Sequence, residues 1–171
     1  LEMAVSRLRK LLDLPDAVAV VEGAVSLVPA RVWIDAAAFE TLAEQLQAGL
    51  AEGRPAAVLA PLADRLLELY RDRLLGSETL AGPMRLARER LALSFLRAVT
   101  GWGNALEAQG DWRAAMALYE RALTRELLSE PIYRALMRAH LAQGERAEAL
   151  RTFVRCRELL ASVLGVAPGA E

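Results

Sequence analysis

The sequence predicts a mainly α-helical protein that is built from repeated helical hairpins. Of its 171 residues, 54% are hydrophobic, and much of that share is alanine and leucine, which favours helix. A second observation is an internal repeat. The Gln-Gly-acid sequence at residues 109–111 returns 34 residues later at residues 143–145, which places two glycine turns at a regular spacing.

The repeat extends beyond the two turns in the same register. Ala115 corresponds to Ala149, and the aromatic Tyr119 corresponds to Phe153. Glycine can adopt the left-handed conformation of a turn between helices, alanine lets two helices approach closely, and the aromatic residue fills the gap to the next hairpin. This period and pattern are typical of tetratricopeptide repeats. The alternative, two unrelated helix–Gly–helix turns, does not account for the agreement at several positions.

Residues 1–34 predict a helix followed by a β-hairpin. Residues at helical spacing form one apolar stripe, whose members are Leu1, Val5, Leu8 and Leu12. Asp13 and Pro15 then end the helix. The valine-rich runs at residues 17–22 and 25–28 favour strands, and the tight connection Gly23-Ala24 favours a hairpin. A helix followed by such a hairpin is the order at the end of a winged helix, with a recognition helix and then a wing.

Six further helices are predicted after residue 34. They cover residues 35–51, 55–73, 84–109, 111–124, 130–143 and 145–164, and Gly53 marks a degenerate first hairpin. Residues 76–83 are predicted to form a loop. The side chains that we expect to be buried are Phe39, Leu42, Leu46 and Leu50; Leu59, Leu62, Leu66 and Leu69; Leu91, Phe95, Ala98, Trp102 and Ala105; Trp112, Ala115, Tyr119 and Ala122; Ile132, Leu136 and Ala139; and Ala149, Phe153, Cys156, Leu160 and Val163. Gly101 and Gly103 weaken the long helix or permit close packing.

Charge and composition limit the classes of partner and compartment. The chain has 21 basic and 22 acidic residues, so it lacks a global basic field, and contact with nucleic acid must come from a local patch. The single cysteine, Cys156, cannot form an intrachain disulfide, which fits a reducing cytoplasm. No apolar run approaches about 18 residues, so we expect no membrane span.

A local basic patch lies on the predicted first helix. Ser6, Arg7 and Lys10 are opposite the apolar stripe, and Arg9 is at its edge. These side chains suit a helix in the major groove of DNA, because arginine can fork onto guanine edges while lysine and serine bind phosphates. A solvated basic face on an ordinary helix has the same spacing, so the spacing alone leaves both interpretations open.

The sequence contains no pattern that predicts catalysis. His140 is the only histidine, and it has no Cys, Asp or Glu at ligand spacing. Cys156 lies on an apolar stripe, and Glu89 and Glu107 stand among arginines as on an ordinary helix surface. No phosphate-binding loop or nucleophile motif occurs. We therefore expect no enzymatic activity, no cofactor and no bound metal.

Two groups of segments resemble known families. The string Ala4-Val5-Ser6-Arg7-Leu8-Arg9-Lys10-Leu11-Leu12, followed by the hairpin, resembles the last helix and wing of OmpR-type winged-helix DNA-binding domains. Residues 34–40, 129–137, 155–160 and 164–168 resemble the bacterial transcriptional activator domain (BTAD) that follows such a winged helix in the Streptomyces antibiotic regulatory protein (SARP) family. The first two helices and leading strands of the winged helix are absent, Glu126-Leu127 stands where the family usually has Asp-Pro, and the wing lacks its usual aromatic residue.

The resemblance implies a domain organisation and a function. Residues 1–34 would be the C-terminal part of a winged helix, and residues 35–171 would be a tetratricopeptide-like activator domain. The protein would be a cytoplasmic bacterial transcriptional regulator that binds promoter DNA through Ser6, Arg7, Arg9 and Lys10. Its helical domain would contact RNA polymerase or another protein, or mediate self-association as a homodimer. The alternative is a helical-repeat scaffold or effector-binding module without DNA binding. We also expect further sequence upstream of Leu1, since the chain starts inside a predicted helix.

Overall fold

The computed structural model describes residues 2–72, 74 and 82–169, and this part of the chain contains seven α-helices, a short 3-10 helix and one β-hairpin. The helices are α1 (Glu2–Leu12), α2 (Asp35–Ala51), α3 (Ala56–Leu69), α4 (Pro83–Ala108), α5 (Trp112–Leu123), α6 (Glu130–Ala142) and α7 (Arg146–Leu164), and the strands are β1 (Val18–Val21) and β2 (Ala24–Leu27). The prediction of a mainly helical protein is confirmed. The chain divides into two compact units, Leu1–Ala38 and Phe39–Glu171, and the predicted domain boundary after residue 34 stays a prediction.

The first unit consists of α1, the 3-10 helix Pro15–Ala17 and the hairpin. The strands pair antiparallel, with Val18 opposite Leu27 and Val21 opposite Ala24. Glu22 and Gly23 form the turn, with φ of 51° and 79°, the two positive values that suit the twist of a two-residue hairpin. The predicted turn Gly23-Ala24 was therefore one residue too late, because Ala24 already belongs to β2.

A small core holds this unit together. Val5, Ala17 and Val18 are buried, and Val32 packs against them. The other described members of the predicted apolar stripe, Leu8 and Leu12, are exposed, so the prediction of a buried stripe was wrong beyond Val5. Leu1 lies outside the described residues. The physical reason is geometric: the hairpin covers α1 only near Val5.

The second unit contains three helical hairpins, α2–α3, α4–α5 and α6–α7, and their turns have the same geometry. Gly53, Gly110 and Gly144 have φ of 67°, 75° and 77°. In each turn the glycine N–H donates to the carbonyl three residues earlier, and the next N–H donates to the carbonyl five residues earlier, at 2.9–3.1 Å. This pair of bonds satisfies the last carbonyls of the first helix. The equivalence of Gly110 and Gly144 is confirmed, and Gly53 belongs to the same set.

Most of the predicted stripes are buried, and the exceptions have identifiable causes. In α2, Ala43 and Gly49 are buried while Leu42 and Leu50 are only partly covered; in α3, Ala63 and Leu67 are buried while Leu62 and Leu69 are partly covered; and in α4, Ala105 is partly covered. The buried face is centred on the small residues, because these let the helices approach most closely. In α5, Leu118 and Leu123 are buried and Trp112 is partly covered.

The last helix and the connection after α3 also differ from expectation. Phe153 and Val163 of α7 are exposed, because no described element covers that side of the helix. Helix α3 ends at Leu69 rather than near residue 73, which is outside the described residues. Tyr70 leaves the helix, and its ring lies 5.3 Å from Phe39 and 4.1 Å from Phe95 between centroids. Of the predicted loop, residues 76–81 lie outside the described residues, and Pro83 begins α4.

The helices of the described segments were compared with the thickness of a bilayer. None of them combines the length and the apolar character that crossing a membrane requires.

Candidate nucleic-acid interface

Helix α1 presents most of the predicted DNA-contacting side chains to solvent. Ser6, Arg7 and Lys10 are exposed, whereas Arg9 is half-buried. Within residues 2–72, 74 and 82–169, none of the three exposed side chains has an ion pair or a side-chain hydrogen bond. Their donors are therefore open to an external partner, as a helix that reads DNA requires.

Arg9 has a different environment from the other three. Its Nε and Nη2 donate hydrogen bonds of 3.2 Å and 2.8 Å to the carbonyl oxygen of Val18. Val18 is the first residue of β1, and its side chain is in the core beside Val5. A guanidinium offers a rigid fork of donors, so this contact fixes the orientation of α1 relative to the hairpin. The geometry thus gives Arg9 a positioning role, and its contact with DNA stays a prediction.

A groove of about 600 Å³ lies between α1 and the hairpin. The residues that line it are Glu2, Val5, Ser6, Arg9, Lys10, Asp13, Pro15 and Val20. Acidic and basic side chains alternate along this groove, so its walls carry little net charge. Arg7 is outside the lining. It is consequently the cation on α1 that is furthest from compensating carboxylates in this unit.

A polar network joins three helices of the second unit. The Tyr119 hydroxyl donates a 2.7 Å hydrogen bond to Glu107 Oε1, and the guanidinium of Arg138 binds both oxygens of the same carboxylate at 3.0 Å and 3.1 Å. Burial, followed by the hydrogen bond to Glu107, raises the pKa of Tyr119, and the Glu107 carboxylate raises the pKa of Arg138. The prediction that Glu107 is an ordinary surface carboxylate was wrong, because its side chain is only 11% exposed.

Gly103 makes this network sterically feasible. A Cβ atom at Gly103 would overlap the phenol ring of Tyr119. The expectation that glycine permits close packing in α4 is confirmed at this position. The signal was present in the sequence, since Gly103 and Tyr119 both lie on buried faces, but their contact depends on how α4 and α5 pack.

The three hairpins occupy the part of the chain that matches a known family. A family model described as the bacterial transcriptional activator domain matches residues 34–171. The chain belongs to this family. A comparison with curated proteins found no match. The activator-domain match spans α2–α7 and begins after the hairpin of the first unit, so it supports a role in transcriptional regulation in general.

A second polar contact fixes the end of the first hairpin in the activator domain. The Tyr70 hydroxyl donates a 2.6 Å hydrogen bond to Glu126 Oε1, and Arg125 Nε donates to the Tyr70 carbonyl at 2.6 Å. Glu126 is buried, although sequence analysis registered it only as a departure from the Asp-Pro of the family. No periodicity signals this role, because Tyr70 and Glu126 are brought together by the stacking of the hairpins.

His140 and Cys156 of the activator domain have structural environments. Nδ1 of His140 is 2.7 Å from Glu145 Oε2, within the third glycine turn. His140 replaces the buried Leu106 of the second turn, so the Glu145 contact satisfies a polar group at an apolar position. Cys156 is buried, and burial raises the pKa of its thiol, which disfavours the reactive thiolate.

Proposed function

We propose that the protein is a DNA-binding transcriptional regulator of the SARP type and that α1 and the hairpin are the recognition helix and wing of a winged helix. The observation that carries the proposal is an arrangement: a helix with exposed Ser6, Arg7 and Lys10, fastened to a hairpin by Arg9, precedes an activator domain in the same chain. A recognition helix needs exposed donors on a fixed backbone, and this arrangement supplies both.

The exposed side chains divide into two roles in this proposal. Arg7 forks onto the O6 and N7 atoms of a guanine, which is the commonest specific contact in the major groove. Ser6 and Lys10 bind phosphates and set the register of the helix on the duplex. Arg9 acts through Val18 by holding the wing against α1, so its removal would change the orientation of the wing.

The activator domain serves as the protein-binding part of the regulator. Its helices form a stack of three hairpins, and such stacks expose extended surfaces to partners. We propose that this surface contacts RNA polymerase or mediates self-association, and that the protein acts without catalysis or a cofactor. The buried environments of His140 and Cys156 are consistent with this role.

Fluorescence anisotropy with labelled direct-repeat promoter duplexes tests DNA binding. We expect affinity to fall steeply as salt is raised. Arg7→Ala should reduce affinity by about 1–3 kcal/mol and relax the preference at one base pair, while Lys10→Ala should weaken all sequences alike and reduce the salt slope by about 1. Arg113→Ala, an exposed arginine of α5, is the matched control. Binding that is independent of salt, or equal for Arg7→Ala and the control, would contradict the proposal.

A scaffold or effector-binding module is the second candidate. A groove of about 390 Å³ lies between α3, α4 and α5, with Trp102 and Leu106 among its lining residues and the ion pair of Asp64 with Arg121 at its edge. This volume could admit a small molecule. A regulator that binds DNA without any added ligand would favour the first candidate, and DNA binding that is absent in every salt condition would favour the second.

A further inference from the structure

The internal repeat supplies a template for what binds at the open side of the last hairpin. Helix α5 is covered by α6, which is the first helix of the following hairpin. At the corresponding position of α7, 34 residues later, no described element lies on the helix. Tyr119 of α5 is 0% exposed, whereas its counterpart Phe153 is 38% exposed. The same surface that is internal at α5 is therefore open at α7.

The open surface of α7 has the spacing of a helix-packing seam. Its members, which we name the α7 stripe, are Arg146, Leu150, Phe153, Arg157 and Leu164. Successive members are separated by four, three, four and seven residues, so they share one face of the helix. Leu150 is 64% and Leu164 is 55% exposed, while Ala149, Cys156 and Leu160 face the hairpin interior. An apolar seam of this length on a helix suits another helix.

The charges of the α7 stripe distinguish between occupants. Both of its charged members are arginines, and neither has an ion pair within the described residues. The Arg157 guanidinium lies 5.9 Å from the centroid of the Phe153 ring, and a guanidinium on a ring keeps its N–H donors at its edge for a carboxylate. A second copy of the chain would place arginines opposite arginines if the two α7 stripes faced each other.

The junction between the second and third hairpins shows how a charge is used at this position. There the incoming helix α6 brings Arg138 to Glu107 of α4. At the open side the position of Glu107 is occupied by the exposed Leu141, and the stripe itself supplies the cations. The complementary helix would thus carry carboxylates in place of arginine and apolar residues along its seam.

We propose that the α7 stripe binds an acidic amphipathic helix of another protein, which lies across α7 as α6 lies across α5. Apolar residues of the partner helix cover Leu150, Phe153 and Leu164, and its carboxylates pair with Arg146 and Arg157. This inference rests on the proposed function only in the statement that the activator domain binds a protein. It is independent of DNA binding by α1.

Titration of the isotope-labelled chain with model peptides, followed by NMR amide shifts, tests the proposal. The probe is a helical peptide of about 15 residues with leucine at the seam and glutamate beside it, a length at which helices become stable. Its counterpart has lysine at each glutamate. We expect shifts along α7 and about tenfold tighter binding of the glutamate peptide. Leu150→Ser should abolish the shifts, and because Leu150 is exposed, this variant should fold normally.

Charge reversal separates the electrostatic part of the contact from its apolar part. Arg157→Glu should weaken the glutamate peptide and strengthen the lysine peptide, whereas Arg113→Glu on α5, the matched control, should change neither. Equal binding of the two peptides, or shifts confined to other helices, would overturn the proposal. Light scattering that shows a dimer of the wild type and a monomer of Leu150→Ser would overturn it in favour of a second copy. Loss of promoter binding with peptide binding intact would count against the DNA-binding role alone.

Discussion

The hydroxyl of Tyr119 and the carboxylate of Glu107 form a 2.7 Å hydrogen bond that crosses from α5 to α4. Arg138 of α6 completes the arrangement, so one carboxylate joins helices of two successive hairpins. Registration between hairpins in this protein therefore depends on a specific polar contact as well as on apolar burial. Such a contact is sensitive to single substitutions, because a buried carboxylate that loses a partner is left poorly compensated.

Gly103→Ala should destabilise the protein by about 1–3 kcal/mol, since the added methyl group would overlap the Tyr119 ring and force α4 and α5 apart. Urea denaturation followed by circular dichroism measures the effect. Gly101→Ala in the same helix is the control: a Cβ there would lie 3.2 Å from the flexible Leu50 Cδ1. Its stability should be unchanged or slightly higher, and an equal loss in both variants would show that the Tyr119 contact is not the cause.

Tyr119→Phe should cost about 1–2 kcal/mol, because it removes one donor to Glu107 and leaves the ring in place. A double-mutant cycle with Glu107→Gln isolates the contact from the packing of the ring. We expect a clear coupling energy in the cycle. Strictly additive free energies of unfolding would mean that the hydrogen bond adds nothing to the stability of the stack.

Arg9→Ala should loosen the hairpin of the first unit, because it removes both hydrogen bonds to the Val18 carbonyl. Hydrogen exchange of the Val28 amide, which donates to Ala17 at 2.9 Å, reports on the local opening of this segment. We expect faster exchange in Arg9→Ala and unchanged exchange in Arg7→Ala. Equal protection in all three proteins would exclude the positioning role of Arg9.

Glu130 should make stability depend on pH in the acid range. The Gly169 N–H donates to its carboxylate at 2.8 Å, and Arg134 binds it at 2.6 Å. The first of these contacts, followed by the second, lowers the pKa of Glu130 below its ordinary value. A lowered folded-state pKa adds stability above the pKa of the unfolded chain, and this contribution is lost as pH falls through the folded-state pKa.

Thermal denaturation of the wild type and of Glu130→Gln across the acid range measures this contribution. The difference in melting temperature should be largest near neutral pH and should narrow as the carboxylate is protonated. Glu89→Gln, on the exposed face of α4, is a suitable control, since its partner Arg85 is a surface ion pair. A difference that is constant with pH would indicate that Glu130 contributes by packing only.

Sequence analysis predicted the elements that depend on local pattern. The glycine turns at residues 110 and 144 and the helix limits within α4–α7 follow from short-range rules of capping and periodicity. The contacts of Glu107 and Glu126 could not be predicted, because each joins residues of different helices and carries no periodic signal. The same limit applies to Arg9: its spacing indicates a helix face, but only the hairpin shows which carbonyl it binds.

The three glycine turns share their geometry even though their separations differ. Gly53 and Gly110 are 57 residues apart, whereas Gly110 and Gly144 are 34 apart. The extra residues fall between hairpins and leave the turns unchanged. A related chain could therefore gain or lose length between its first and second hairpins without altering how the helices within any hairpin meet, which makes that connection the natural place for insertions.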